Sequence, residues 1–186
     1  MEESPALIGD VDGDGSDDAV TVVVDPGGGA ECRAFLVVRG VDAAPIDVLD
    51  ESVFRLGLPA PNLIADIDGA PGKEIVVNVH AGASTQFASI FTLRGSRLIR
   101  VSIESADDLV PFGGSVAHLE GADCVPGGGF VIASASPRGR GYVVTRTFFE
   151  ARGTALVIDH AEERTVAPRD LNSIPEFAGP PFGSCV

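Results

Sequence analysis

The sequence is poor in helix-favouring residues, in positive charge and in long apolar runs. It has one Met in 186 residues, and long stretches of good helix formers are rare while Val-rich runs recur, which favours strands. No apolar run approaches the ~20 residues of a membrane-spanning helix. Lys and Arg number 13 against 27 Asp and Glu, giving a net charge of −14 and a sequence pI near 4.4. Without a basic cluster a nucleic-acid surface is excluded. Such acidity suits cations, a solvated surface or a basic partner. No leader peptide opens the chain. A start this close to an acidic motif fits a mature piece whose leader has been removed.

The usual marks of catalysis are also missing. There is no G-x-S-x-G elbow and no phosphate or dinucleotide fingerprint. "DPGGGAE" and "VPGGGF" have the glycines but neither the Lys nor the strand-turn-helix setting, and read as hairpin loops. His80, His118 and His160 share no spacing and read as surface or packing residues. Glu162-Glu163 and Asp107-Asp108 are acid pairs of the kind glycosidases use, but they sit in polar turn-like surroundings. Cysteines are limited to Cys32, Cys124 and Cys185, without C-x-x-C spacing, so zinc and redox motifs are not indicated. An odd count allows at most one internal pair. Cys124 with Cys185 is the expected one, since both lie by similar Gly/Pro-rich segments; three unpaired buried thiols are the alternative.

What the sequence does have is hydrophobicity, turns and a dense acidic loop. Hydrophobic residues make up 45%, enough to exclude a disordered chain. Gly 23 and Pro 13 mark frequent turns, and the fold class expected is all-β. In "LIGDVDGDGSDDAVTVVV" (Leu7 to Val24) five aspartates fall within nine residues. Asp10, Asp12 and Asp14 alternate, Gly15 allows a sharp turn, Ser16 offers a carbonyl, and Asp18 closes the set. Hard cations such as Ca²⁺ take about six to eight oxygens, and a bound cation would cancel the repulsion among these acids. An EF-hand is ruled out because Thr21 occupies the twelfth position and a strand follows. The metal-free alternative is a polar Asp/Gly turn.

The chain repeats itself. "AFLVVRG", "SIFTLRG" and "TFFEARG" begin at Ala34, Ser89 and Thr147 and end in Arg39-Gly40, Arg94-Gly95 and Arg152-Gly153. Glycine there fits a turn needing positive φ. The acidic segment recurs in step as "LIADIDGAPGKEIVVNV" (Leu63 to Val79), which keeps Asp66, Asp68 and Glu74 but has Ala70 in place of an acid. A second, weaker cation site is expected there. A third, eroded copy, "VAHLEGADCVPGGGFVIASAS" (Val116 to Ser136), puts His118 and Glu120 at the acidic positions and reads as structural. Each unit reads as about four short strands in roughly 55 residues, the size of a propeller blade. Residues 1–186 thus form a single repeat domain with units at about 6–62, 63–115 and 116–186. Outside the acidic loops, Arg138, Arg140 and Arg146 make a small basic group suited to an anion or a partner carboxylate, or to an exposed loop.

"DVDGDGSDD" (Asp10 to Asp18) and "DIDGAPGKEIVV" (Asp66 to Val77) resemble the D-x-D-G-D-G-x-x-D loops of FG-GAP/VCBS repeats, found in integrin-like β-propellers and many secreted bacterial proteins. "PFGG" (Pro111 to Gly114) and "GAPG" (Gly69 to Gly72) are the nearest matches to the cues that name the family. The resemblance implies a propeller-like fold of about three four-stranded blades stabilised by Ca²⁺. It puts Asp10, Asp12, Asp14, Ser16 and Asp18 in the ligand roles, in a module that recognises a protein or glycan in the extracellular space or cell envelope. Closed propellers typically have about four to eight blades. A compact three-bladed monomer is therefore weighed against an open fragment and half of a six-bladed homodimer, with the monomer favoured. The terminal "GPPFGSCV" resembles the opening of a further unit that would close onto Ala6 to Asp10. Two functions remain open: a non-enzymatic recognition or scaffold module, and an envelope-associated hydrolase or lyase acting on polysaccharide or lipid.

Overall fold

The computed structural model describes residues 2–25, 33–48, 59–104, 106–115, 117–125 and 129–185. Cys32, most of "DPGGGAE", the glycines 127 and 128 of "VPGGGF" and most of the strand expected in "SVFRLGLP" lie outside the described residues. The chain is all-β, as expected, built as three successive four-stranded antiparallel meanders. The first comprises β2 (Leu7–Gly9), β3 (Asp18–Asp25), β4 (Arg33–Arg39) and β5 (Ile46–Asp47), with β1 (Glu2–Glu3) also paired to β3. The second comprises β6 (Ala60–Ala65), β7 (Glu74–Ala81), β8 (Thr85–Arg94) and β9 (Arg97–Arg100). After β10 (Ser102–Ile103) and β11 (Val110–Ser115) comes the third, made of β12 (His118–Cys124), β13 (Phe130–Arg138), β14 (Gly141–Arg152) and β15 (Ala155–Val166).

The meanders do not make three separate sheets. β11 pairs with β8 on one side and β12 on the other, which joins the second and third into one ten-stranded sheet. Among the described residues neither sheet closes on itself.

Side-chain alternation explains how the layers stack. In the first meander Val20, Val22, Leu36 and Val38 point inward against Ile75, Val77, Phe91 and Leu93 of the second. The intervening residues Val76, Ala88 and Ile90 point the other way, against Ala122, Phe130, Phe149 and Leu156 of the third. The second meander is thus buried on both faces, which is why "EIVVNV" and "ASIFTL" lack the polar alternation of a solvated sheet. Each fully buried Val, Ile or Phe in these layers contributes about 1.5–3 kcal/mol. The Arg-Gly turns behave as the repeat implied: Gly40, Gly95 and Gly153 have φ of 114°, 60° and 65°.

The C-terminal segment does not reach Ala6 to Asp10 as expected. A 3₁₀ stretch (Pro168–Ser173) and α1 (Pro175–Ala178) cover the outer face of the third meander, with Leu171 and Ile174 on Ala135 and Val144. The last residues then insert between the second and third meanders. Phe182 stacks on Phe130 at 5.8 Å, its N–H donates to the Ala122 carbonyl (2.8 Å), and the Asp66 N–H donates to the Cys185 carbonyl (3.0 Å). Phe182 and Cys185 fill a gap in the core and offer no free strand edge, which explains the difference.

Candidate metal centre

Both acidic loops join the first strand of a meander to its second, and three hydrogen bonds recur at matching positions in the two. In the first loop, between β2 and β3, Asp10 accepts from the Gly13 and Gly15 N–H groups (2.7 and 3.0 Å). Asp12 accepts from Asp14 N–H (3.0 Å), and Asp14 from Ser16 N–H (2.7 Å). Asp18 reaches back to the Val11 N–H at 3.1 Å. In the second loop, between β6 and β7, Asp66 accepts from Gly69 N–H (2.8 Å), Asp68 from Ala70 N–H (2.8 Å), and Glu74 from Ile67 N–H (3.0 Å). Short Asp side chains favour such local bonds to the backbone. Val11 and Ile67, between the first two acids of each loop, are 1% and 3% exposed and anchor the loops to the core.

The two loops also touch. The Lys73 N–H donates to the Asp10 carbonyl at 3.0 Å. A Cβ on Gly13 would come within 2.7 Å of the Gly72 nitrogen, so glycine is required for this approach as well as for the φ of 78° at Gly13.

The geometry gathers two sets of carboxylates. Asp10, Asp12 and Asp18 present oxygens within 4.8 Å of one another, and so do Asp66, Asp68 and Glu74. Asp14, expected to join the first set, is not among the carboxylates brought within that distance. All donors are hard carboxylate oxygens, which fits Ca²⁺ or Mg²⁺ and disfavours softer metals. Asp18 and Glu74 are buried, at 5% and 2% exposure. Burial pushes the Glu74 carboxyl above its usual range, and Asp68 adds to this; hydrogen bonds from Ile67, Thr92 and Asp68 pull it partly back.

The loops differ in their counter-charge. Arg94 Nη2 lies 2.5 Å from Asp68 Oδ2 and 3.9 Å from Glu74 Oε1. The matching arginine of the first unit, Arg39, turns away and pairs with Glu3. Among the described residues no Lys or Arg forms an ion pair with Asp10, Asp12 or Asp18. Sequence reasoning marked Arg94 only as a turn residue; its place before Gly95 in the repeat was the available signal.

The third copy takes a different form. His118 and Glu120 lie within strand β12 and not in a loop, because β12 pairs with β13 through Cys124. The acid nearest the acidic-loop position is Asp123, legible in hindsight from "LEGAD" beside "LIGD". It holds the tail: Ser184 N–H and Oγ donate to it at 2.7 and 2.8 Å. The expected Cys124–Cys185 pair forms next to it, with an S–S distance of 2.17 Å and Cα atoms 5.0 Å apart.

The three arginines do not form one group. Arg138 ends β13, and Arg140 lies in the exposed turn that joins it to β14. Arg146, six residues past Arg140 and so about 20 Å along the strand, donates to Glu176 at 2.7 Å and Glu162 at 3.4 Å and covers the Phe148 ring. The histidines stay apart: His80 stacks on Phe87, His118 meets Thr85 Oγ1 at 2.8 Å, and His160 stacks on Phe148. Asp107 and Asp108 are turn residues with φ of 48° and 58°, and Asp108 caps the Ile103 N–H at 2.8 Å.

A cleft of about 450 Å³ opens between Glu104, Ala106, Asp107 and Leu109 on one side and the inner face of the third meander on the other. Its walls include Phe87, Phe149 and Ile158, and its acids are Glu104, Asp107 and Glu120. Burial pushes the Glu120 carboxyl up, with His118 pulling it partly back. No motif marks this cleft, because its lining comes from strands distant in the chain.

In comparison with known proteins, the chain matches no family model, and no curated protein or solved structure matches it.

Proposed function

We propose that this chain is a non-enzymatic recognition or scaffold module, stabilised by Ca²⁺ in its first acidic loop and built on propeller-like repeats of the FG-GAP/VCBS kind. The observation that carries the reading is the first loop itself. Asp10, Asp12 and Asp18 converge within 4.8 Å in a turn rigidified by its own backbone, without a basic partner among the described residues. A hard cation relieves that repulsion and completes the oxygen set. Face-to-face stacking of four-stranded meanders supports the propeller-like reading, since neighbouring blades pack in this way. The Cys124–Cys185 bond and the absence, among the described residues, of any helix long and apolar enough to cross a membrane are compatible with an extracellular or envelope setting. The partner would be a protein or a glycan, met by loops on this rigid stack.

The deciding variants are Asp12→Ala and Asp68→Ala. Asp12→Ala should abolish most of the calcium-induced rise in melting temperature, and Asp68→Ala much less. Equal loss in both would refute the assignment to the first loop.

One observation favours the hydrolase or lyase reading: the cleft holds three carboxyls, and burial keeps Glu120 more easily protonated, as a general acid requires. Turnover of an envelope polysaccharide that disappears in Glu120→Gln would establish that reading over the first.

A further inference from the structure

We propose that the second acidic loop takes no metal because Arg94 supplies its cation, and that the register of the adjoining hairpin decides this. The proposal rests on the reading of the first loop as a calcium site.

The two acidic loops are copies of one another within the same chain. Both loops share three backbone hydrogen bonds at matching positions, and each has a buried apolar anchor and a buried closing acid. In both, the strand after the loop pairs with a return strand, β4 or β8, that ends in Arg-Gly. What differs is how far that strand runs past the closing acid. In the second meander Ile75 pairs with Phe91, which sets Glu74 level with Thr92, and Thr92 Oγ1 donates to Glu74 at 3.2 Å. Arg94 therefore lies two residues beyond Glu74's level. Residues two apart share a face, so Arg94 projects on the face of Glu74 and reaches Asp68.

In the first meander Ala19 pairs with Arg39, which sets Asp18 level with Gly40. Arg39 lies one residue short of that level, on the opposite face from Asp18, and it meets Glu3 instead. At Gly40 a Cβ would come within 2.4 Å of Asp18 Oδ1, so the backbone there fits against the carboxylate and leaves no side chain to reach into the loop. A shift in register thus delivers a guanidinium into one acidic turn and withholds it from the other. A guanidinium satisfies carboxylates by charge-assisted hydrogen bonds in the space a metal would occupy. Arg94 is then the residue that sets the number of metals bound.

The experiment is calcium titration of the whole chain by calorimetry, with melting curves in calcium and in chelator, for the natural protein and for Arg94→Met. The natural protein should bind one Ca²⁺ and Arg94→Met two, and the variant should melt lower in chelator and regain the difference in calcium. Two ions on the natural protein, or an unchanged count in Arg94→Met, would overturn the proposal. Because Arg94→Met is expected to be unstable without metal, Asp68→Asn/Arg94→Met, which also removes the repulsion, provides a second arm. It should fold in chelator and bind one ion; a second ion bound by it would also overturn the proposal. If the natural protein binds no calcium while Arg94→Met binds one, the role of Arg94 stands and the first-loop reading fails.

Discussion

Gly40 and Glu120 show how single positions are fixed by what lies beside them. Gly40 has a φ of 114°, a region that L side chains avoid, and the carboxylate of Asp18 fills the space where a Cβ would go. Gly40→Ala should therefore weaken calcium binding as well as lower the melting temperature, measured by calorimetric titration; a stability loss with unchanged calcium affinity would contradict the link to Asp18. Glu120 has a raised carboxyl pKa caused mainly by burial, so the native state holds its proton to higher pH than the unfolded chain. In the window between the ordinary Glu value and that raised value the folded state binds more protons, and stability falls as pH rises through it. Glu120→Gln should then melt higher than the natural protein at neutral pH, with the gap closing as pH falls toward the ordinary Glu value. A gap that widens on acidification would have the wrong sign.

At the scale of elements, the hairpin of β14 and β15 carries the third meander's outer face. Arg146 lies under the C-terminal segment and faces Glu176, whose side chain is only 2% exposed. Removing one member of such a pair leaves a buried charge and costs about 3 kcal/mol. Arg146→Met should thus be strongly destabilising. Glu176→Gln/Arg146→Met should recover most of the loss in a denaturant-unfolding cycle. Strictly additive effects would show that the pair is not coupled. Much of this scale was legible beforehand. Alternating Val residues marked the first meander, and the Arg-Gly repeats marked the ends of three strands. The third acidic copy was misplaced because His118 to Cys124 has the polar character of a loop yet pairs as a strand, driven by β13 beside it. The arginine trio was read as one group because sequence proximity on a long strand does not bring side chains together. Arg94 escaped notice because its role depends on register, which only the pairing of β7 with β8 reveals.

At the scale of the whole molecule, three layers stack with the second buried on both faces, and the C-terminal tail locks the second to the third. Cys124 and Cys185 enclose a sequence separation of 61 residues, and closing a loop of that length stabilises by about 4 kcal/mol in the chain-entropy account. Cys185→Ser should lower the melting temperature under oxidising conditions and match the natural protein under reductant; no difference in oxidising buffer would show that the bond does not form in solution. The stacking of layers was foreshadowed by the repeat, whereas the tail's destination was not, since "GPPFGSCV" resembles a strand opening but its Phe182 and Cys185 plug the core. Two acidic loops meeting through Lys73 and Asp10 lie at the junction of the first two layers, where a cation would tie the first sheet to the rest. The most direct test of the central claim is the thermal unfolding of the natural protein in millimolar Ca²⁺ and in EGTA. The account predicts a higher melting temperature in calcium. Superimposable curves in the two buffers would contradict it.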